Sequence, residues 1–286
     1  MFINSKQKNR KKIYVFLLLS VFFLLINLLP IQLINEEGHH QYEKFDNKYQ
    51  IIKNMDKLIH IIDSTAQSLK IKPKSLAYNE IITETIKQRF RHGYCHYGFN
   101  DNWVASLAGK LVWRDLSAIV DPNDIIKYEN ASCSQQSIMM MEVLKRKGIS
   151  FCKIGWNHHF TLCAWVNNGW HYYDPNMEPI ISPSQRAFDN KFLNIEFLAK
   201  IYKGRIKDAD IELSLGVPQM GRINEFPAPN ALIFHKITKI ISVTFWLLFL
   251  IPVLYLYRPI HVKTKKYRSK RKKLLKEKEV EASEAL

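Results

Sequence analysis

Cysteine is scarce, with 4 residues in a chain of 286, and neither a CxxC pair nor an HExxH segment occurs. His39-His40, Cys95-His96 and His158-His159 offer ligand atoms, but at spacings that fit no zinc pattern, so no metal and no cofactor is expected. A glycine-rich phosphate loop is missing as well. Glycine and proline stand at 10 and 11, and no heptad or solenoid repeat is present, which excludes disordered and fibrous classes. What remains, with 47% hydrophobic and 24% charged residues, is the composition of a packed globular protein.

Charge is missing altogether from Ile13 to Asn35, a stretch of 23 positions that is long enough to cross a hydrocarbon core of about 30 Å. The run continues through Pro30 into Leu33 and Ile34 without the small residues of a cleavage site, which predicts an uncleaved signal anchor. A second uncharged run, Ile240 to Tyr257, is flanked by Lys236 and Lys239, which can snorkel, and carries Trp246, Tyr255 and Tyr257 for an interface.

The net charge of +16 would suit a nucleic-acid partner if it lay on the folded domain, but it does not. Five Lys/Arg lie in residues 1–12 and thirteen in residues 234–286, leaving 24 in the middle against 22 acids. Basic residues thus crowd the outer flank of both spans, and by the positive-inside rule both termini are cytoplasmic. The expected organisation is a cytoplasmic basic N-terminus (1–12), a first span (13–35), an extracytoplasmic domain (36–233), a second span (234–257) and a cytoplasmic basic tail (258–286). That is a two-pass protein of the cell (inner) membrane, with its domain in the periplasm or outside. The Lys263–Lys278 tail is explained by anionic lipid, and no nucleic acid is invoked.

Within the domain, Ile52, Met55, Ile59 and Ile62 recur at spacings of three and four, which predicts an amphipathic helix over 49–70. A second helix is predicted over 75–90, a Gly/His/Tyr-rich loop over 92–102, and helix again between Trp103 and Val120. Ser132 stands three residues before Gln135, a capping-box pattern that makes Cys133 the first residue of a helix stopping at Gly148. The Met139-Met140-Met141 run on it reads as core filler. Short extended pieces follow at 150–155, 159–166 and 169–173, the last two joined at Asn-Asn-Gly, and then a last helix over about 190–203. The fold class is α+β, a helix packed on an antiparallel sheet.

A cysteine at a helix start sits where the macrodipole and free N–H groups favour the thiolate, which makes Cys133 a candidate nucleophile. A nucleophile of this kind needs a base, and the base an orienting partner. With a two-residue Asn167-Asn168 loop, Thr161 lies opposite Asp174 and His159 becomes the diagonal neighbour of Asp174 on the same face. A three-residue bulged turn would reverse that parity and bring His158 forward instead. Cys133 alone would read as a buried helix thiol, and Asp174 alone as the start of a turn before Pro175. Cys152 and Cys163 fall on neighbouring strands, as a disulfide or as buried thiols, and Cys95 has no assignable role.

Cys133 at a helix start, a Lys-Gly-Ile turn, then His159, Trp165, Gly169-Trp170 and Asp174-Pro175 resemble the transglutaminase-like superfamily over about Trp103 to Pro179. The likeness lies in order, spacing and secondary structure together; members often carry Gly directly before the cysteine, where this chain has Ala131-Ser132. The resemblance implies a papain-like core at about 103–179 and a Cys133–His159–Asp174 triad acting through a thioester acyl-enzyme, resolved by water (protease or amidase) or by an amine (transferase). It also implies an oxyanion hole from the Cys133 N–H, with Trp103 and Gln135 as side-chain candidates. The expected partner is a peptide or protein substrate in the cell envelope, presented in one version by a neighbouring membrane protein. Asn130-Ala131-Ser132 is a sequon whose glycan would obstruct the site, which favours a bacterial envelope. The rival reading is a catalytically inactive module of the same fold that binds a peptide or envelope partner.

Overall fold

The computed structural model describes residues 2–34 and 42–257; His39-His40 and the basic tail from Arg258 on lie outside the described residues. In chain order the helices and strands are α1 (Phe2–Leu25), α2 (Met55–Ser68), α3 (Leu76–Arg89), β1 (Arg91–His92), α4 (Phe99–Leu111), α5 (Pro122–Ile125), β2 (Asn130–Ala131) and α6 (Cys133–Arg146). They continue as β3 (Phe151–Gly155), β4 (Phe160–Val166), β5 (Gly169–Tyr173), α7 (Ile195–Ile201), α8 (Ile211–Ser214), β6 (Gln219–Met220) and α9 (Pro229–Thr244).

Two stretches are helical, long and apolar enough to cross a membrane: Asn9–Leu28, with a mean hydropathy of 2.0, and Pro229–Tyr257, with 2.2. The first stops short of Asn35. Pro30 disfavours helical geometry in the residue before it, and Leu29 is extended at φ −83°, ψ 116°. The second begins before the apolar run, because proline suits a first helical turn and the lysines at 236 and 239 do not interrupt helical hydrogen bonding.

The chain divides into two compact units, the first drawn from Met1–Ile31, Gly98–Val104 and Thr238–Leu286, the second from Gln32–Tyr97 and Ala105–Ile237. In the first unit the two apolar helices meet through Phe23, which stacks on Phe249 (ring centroids 5.1 Å apart) and meets Phe245 edge-on. Ser20 Oγ donates to the Trp246 carbonyl at 3.1 Å. Asn102 leaves helical geometry inside α4, at φ −164°, ψ 78°. Its amide donates to Thr238 Oγ1 at 2.9 Å and accepts from Ser242 Oγ at 3.0 Å. In an apolar environment such side-chain bonds between helices stand in for the water that is absent.

In the second unit the helix expected over 49–70 is split. Asp46 caps a short 3-10 turn at Asn47–Ile51, and α2 starts afresh where the Asn54 side chain accepts the Lys57 N–H at 2.8 Å. Helix α3 starts after Ser75, whose Oγ accepts the Tyr78 N–H at 3.2 Å. Helix α6 begins at Cys133, with the Gln135 side chain reaching back to the Ser132 N–H at 3.1 Å. It ends at Gly148, φ +61°, where the Ile149 N–H returns to the Leu144 carbonyl and the Gly148 N–H to that of Lys145, a Schellman closure in which an L-residue would be strained.

The main sheet is antiparallel with strand order β5-β4-β3-β6. Asn167 and Asn168 both have positive φ, 48° and 60°, the two-residue type I′ turn that matches strand twist. One face of the sheet, with Leu162, Ala164 and Val166, packs into a core with α2, α3 and the Ile138–Leu144 run of α6, where all three methionines are buried. The other face, with Cys152, Ile154, Cys163 and Tyr172, packs against Phe192, Leu198, Ile201, Tyr202 and Leu215. The helix expected over 190–203 is divided here by Asn194, which ends a 3-10 turn and caps α7. Leu162 is fully buried at the centre of the first core. Leu162→Ala is expected to cost about 3 kcal/mol through lost transfer energy and the cavity left behind, measured by urea unfolding.

Candidate active site

Cys133 occupies the first position of α6 and is half-buried, whereas Cys95, Cys152 and Cys163 are buried; all four thiols are free. The first-turn N–H groups of a helix have no acceptor within it, and they face whatever charge develops at the thiol. Beside the helix start, β1 runs parallel to β2, Arg91 against Asn130 and His92 against Ala131. That register carries the following Gly93-Tyr94 along Ser132-Cys133. Gln135 then holds Cys95 in place: its Oε1 accepts the Cys95 N–H at 3.0 Å and its Nε2 donates to the Cys95 and Ile119 carbonyls at 2.9 and 2.8 Å.

His159 enters β4 from a tight turn in which the Trp156 N–H donates to the His159 carbonyl at 2.9 Å. The backbone N–H groups of Asn157 and His158 are tied to the carbonyls of Leu215 and Ser214. His158 faces solvent, and His159 is buried. The β4–β5 register pairs Leu162 with Tyr173 and Val166 with Gly169, so continuing it sets Thr161 against Asp174, with His159 diagonal to it. His159 Nε2 lies 2.7 Å from Asp174 Oδ2, and both side chains are shielded from solvent.

An ionised carboxylate only accepts, so the Nε2 proton is the one shared with Asp174, and Nδ1 remains for the thiol. The Asp174 Oδ1 accepts the Asn176 and Met177 N–H groups, each at 3.0 Å, and its Oδ2 also accepts the Tyr202 hydroxyl at 2.8 Å. Burial alone would push His159 down, but the Asp174 carboxylate by charge and hydrogen bond, and the Cys133 thiol in the same two ways, push it up to about 10. Burial would likewise raise Asp174, and the His159 charge with the bonds from His159, Tyr202 and the Met177 N–H holds it below the usual carboxylate range. Burial pushes Cys95 and Cys163 well above ordinary thiols.

The three residues read as a triad thus form one interacting set, and the two side chains read as oxyanion donors do other work. Both Gln135 amide protons are spent on backbone carbonyls, so its role is to clamp the 93–96 loop to α6. The Trp103 indole N–H donates to the Ser242 carbonyl at 3.1 Å, within the unit that holds the two apolar helices. Tyr94 was not among the candidates. Its hydroxyl bonds with the Ser132 and Ser134 side chains and is raised by burial first and then by the charges of Cys133 and Asp115. Nothing local in the sequence signals it, because the parallel β1–β2 pairing joins segments about forty residues apart. Among the described residues no group of three His, Cys, Asp or Glu side chains is arranged to hold a metal ion.

No family model, no curated protein and no solved structure matches the chain.

Proposed function

We propose that the chain is a membrane-anchored cysteine enzyme with a papain-like core of the transglutaminase-like superfamily, acting on peptide or protein amides. The observation that supports it is the buried His159–Asp174 hydrogen bond of 2.7 Å, with its free ring nitrogen left to a half-buried thiol at a helix start. In this reading His159 Nδ1 takes the Cys133 proton, and the thiolate sulfur bonds to the carbonyl carbon while the π electrons move to oxygen. In this reading the Cys133 N–H, at the start of α6, faces that oxygen. As the tetrahedral carbon collapses, the C–N bond breaks and the departing amine takes the proton from His159. Water activated by His159 then cleaves the thioester, or a second amine does so and makes the reaction a transfer.

Two helices of membrane-crossing length support the anchoring. Lys6, Lys8, Arg10, Lys11 and Lys12 before the first, and the basic residues after Tyr257, support a reading in which both termini are cytoplasmic and the domain works in the periplasm or outside, among envelope peptides and proteins.

The test uses the full chain in detergent micelles with p-nitrophenyl acetate. Cys133 is expected to carry an acetyl thioester by peptide mass spectrometry, to discharge it in the native protein and to accumulate it in His159→Ala. Faster discharge on adding an alkylamine identifies a transferase. Equal discharge in both proteins overturns the reading in favour of a module that only binds peptides.

A further inference from the structure

Asp174 receives four hydrogen bonds, two on each oxygen, and three of them come from its own hairpin: His159, Asn176 and Met177. The fourth comes from Tyr202, 28 residues later, just beyond α7. Behind Tyr202 the bonding continues to β5. Its hydroxyl meets that of Tyr172 on β5, and on the neighbouring β4 Thr161 Oγ1 accepts the Trp156 indole N–H at 2.9 Å.

The direction of these bonds is set by their end groups. An indole N–H only donates, and an ionised carboxylate only accepts. Each hydroxyl has one proton to give, so Tyr202 donates to Asp174 and Tyr172 to Tyr202, while Trp156 donates to Thr161. All five side chains lie in the buried layer on the face of the sheet away from α6, with exposures of 8% for Trp156, 1% for Asp174 and 0% for Thr161, Tyr172 and Tyr202. In a dry environment such aligned bonds polarise one another toward the terminal charge.

We propose that Tyr202 is a positioning residue of the site, aimed at Asp174 by the Tyr172 hydroxyl and holding that carboxylate turned toward His159. The role rests on the cysteine-enzyme reading above. It also makes the segment after Asp174, outside the 103–179 core, part of the machinery. Burial raises Tyr172 and Tyr202 far above an ordinary phenol, so both keep the proton they donate. The other groups around Asp174 are Tyr42, kept neutral by burial and donating to Met177 Sδ at 3.1 Å, and Glu178 and Arg205, which act on Tyr42.

The experiment is the pH profile of Cys133 alkylation by iodoacetamide, read by peptide mass spectrometry on the full chain in detergent micelles. Tyr202→Phe removes a single donor, so Asp174 takes up a proton at higher pH and His159 loses its counter-charge there. The acid limb is expected to move up by about one pH unit, the weight of one hydrogen bond to a charged group, with the plateau unchanged. Tyr172→Phe, which leaves the Tyr202 hydroxyl unaimed, is expected to move it in the same direction by less. A folded Tyr202→Phe protein with an unmoved limb overturns the proposal, since a merely structural tyrosine changes thermal stability and not this profile. Should that variant fail to fold, Tyr172→Phe decides by the same shift or its absence. A native profile that His159→Ala leaves unchanged overturns the enzyme reading itself, and this role with it.

Discussion

His159→Ala is expected to move the acid limb of Cys133 alkylation to higher pH, because it removes the positive charge beside the thiol. In the native protein the ring, held by Asp174 and raised to about 10, stays protonated across the neutral range and supplies a positive charge beside Cys133. Without it the thiol has only the helix start, whose field is worth about 0.3–1 kcal/mol, well under one pH unit. The rate at pH 6 is expected to fall only about tenfold, because a stabilised thiolate is also less nucleophilic and offsets part of its larger population. The limb is therefore the sharper readout. Cys95, Cys152 and Cys163 serve as internal controls, since all three are buried and should alkylate slowly in both proteins. A limb in the same place with and without His159 would remove the basis for acyl chemistry at this site.

Asp174→Ala is expected to damage both turnover and stability. It leaves a buried imidazole without its carboxylate and orphans the Tyr202 hydroxyl and the N–H groups of Asn176 and Met177. Breaking a buried charged pair by removing one partner costs about 3–5 kcal/mol. Discharge of the acetyl-enzyme should slow by about 10³–10⁴, as when a triad loses the group that orients its histidine. The pH dependence of unfolding supplies a second signature. In the native protein His159 keeps its proton up to about 10 while the unfolded chain releases it near 6.5. Its contribution is therefore complete below about 6.5 and is lost as pH rises through about 10. Asp174, held low, contributes above about 3.9, and that part is lost as pH falls through its depressed folded value. In Asp174→Ala burial, the largest influence on His159, is opposed by Cys133 alone, and the ring then binds its proton less well than in the native protein. His96, His171 and His235, lowered by burial, make stability rise with pH through the histidine range in both proteins, and the rise is expected to be steeper in Asp174→Ala, where His159 no longer opposes it. Urea unfolding of both proteins at pH 5 and pH 7 reads the difference.

How far the site can be read along the chain depends on how far each physical rule reaches. The Ser132–Gln135 cap acts over three residues, and it starts α6 at Cys133 as its spacing predicts. The Asn167-Asn168 turn acts over two, and its positive φ values fix the hairpin register that makes His159 and Asp174 diagonal neighbours, leaving His158 in solvent. Pro30 acts on one neighbour, and it ends the first apolar helix before the uncharged run is over. The cap at Asn54 splits a helix that periodicity alone joins, because Ile52 is buried whether or not it is helical.

Trp103 and Gln135 show the other limit. Their residue types suit an oxyanion donor, but a donor is available only if nothing else accepts its proton, and the acceptors here are the carbonyls of Ser242, Cys95 and Ile119, up to 139 residues away. Tyr94 and Tyr202 carry no local mark for the same reason: one is brought to Cys133 by a parallel pairing, the other to Asp174 by packing on the far face of the sheet. The amino-acid order by itself determined the two apolar spans, the flanking charge, the helix start at the cysteine and the parity of the hairpin, since hydrophobic length, capping and turn chemistry are short-range. Only the tertiary structure decided which hydrogen-bond donors are spent and which face the site. That depends on burial, where every polar group must find a partner and the partner can come from any part of the chain.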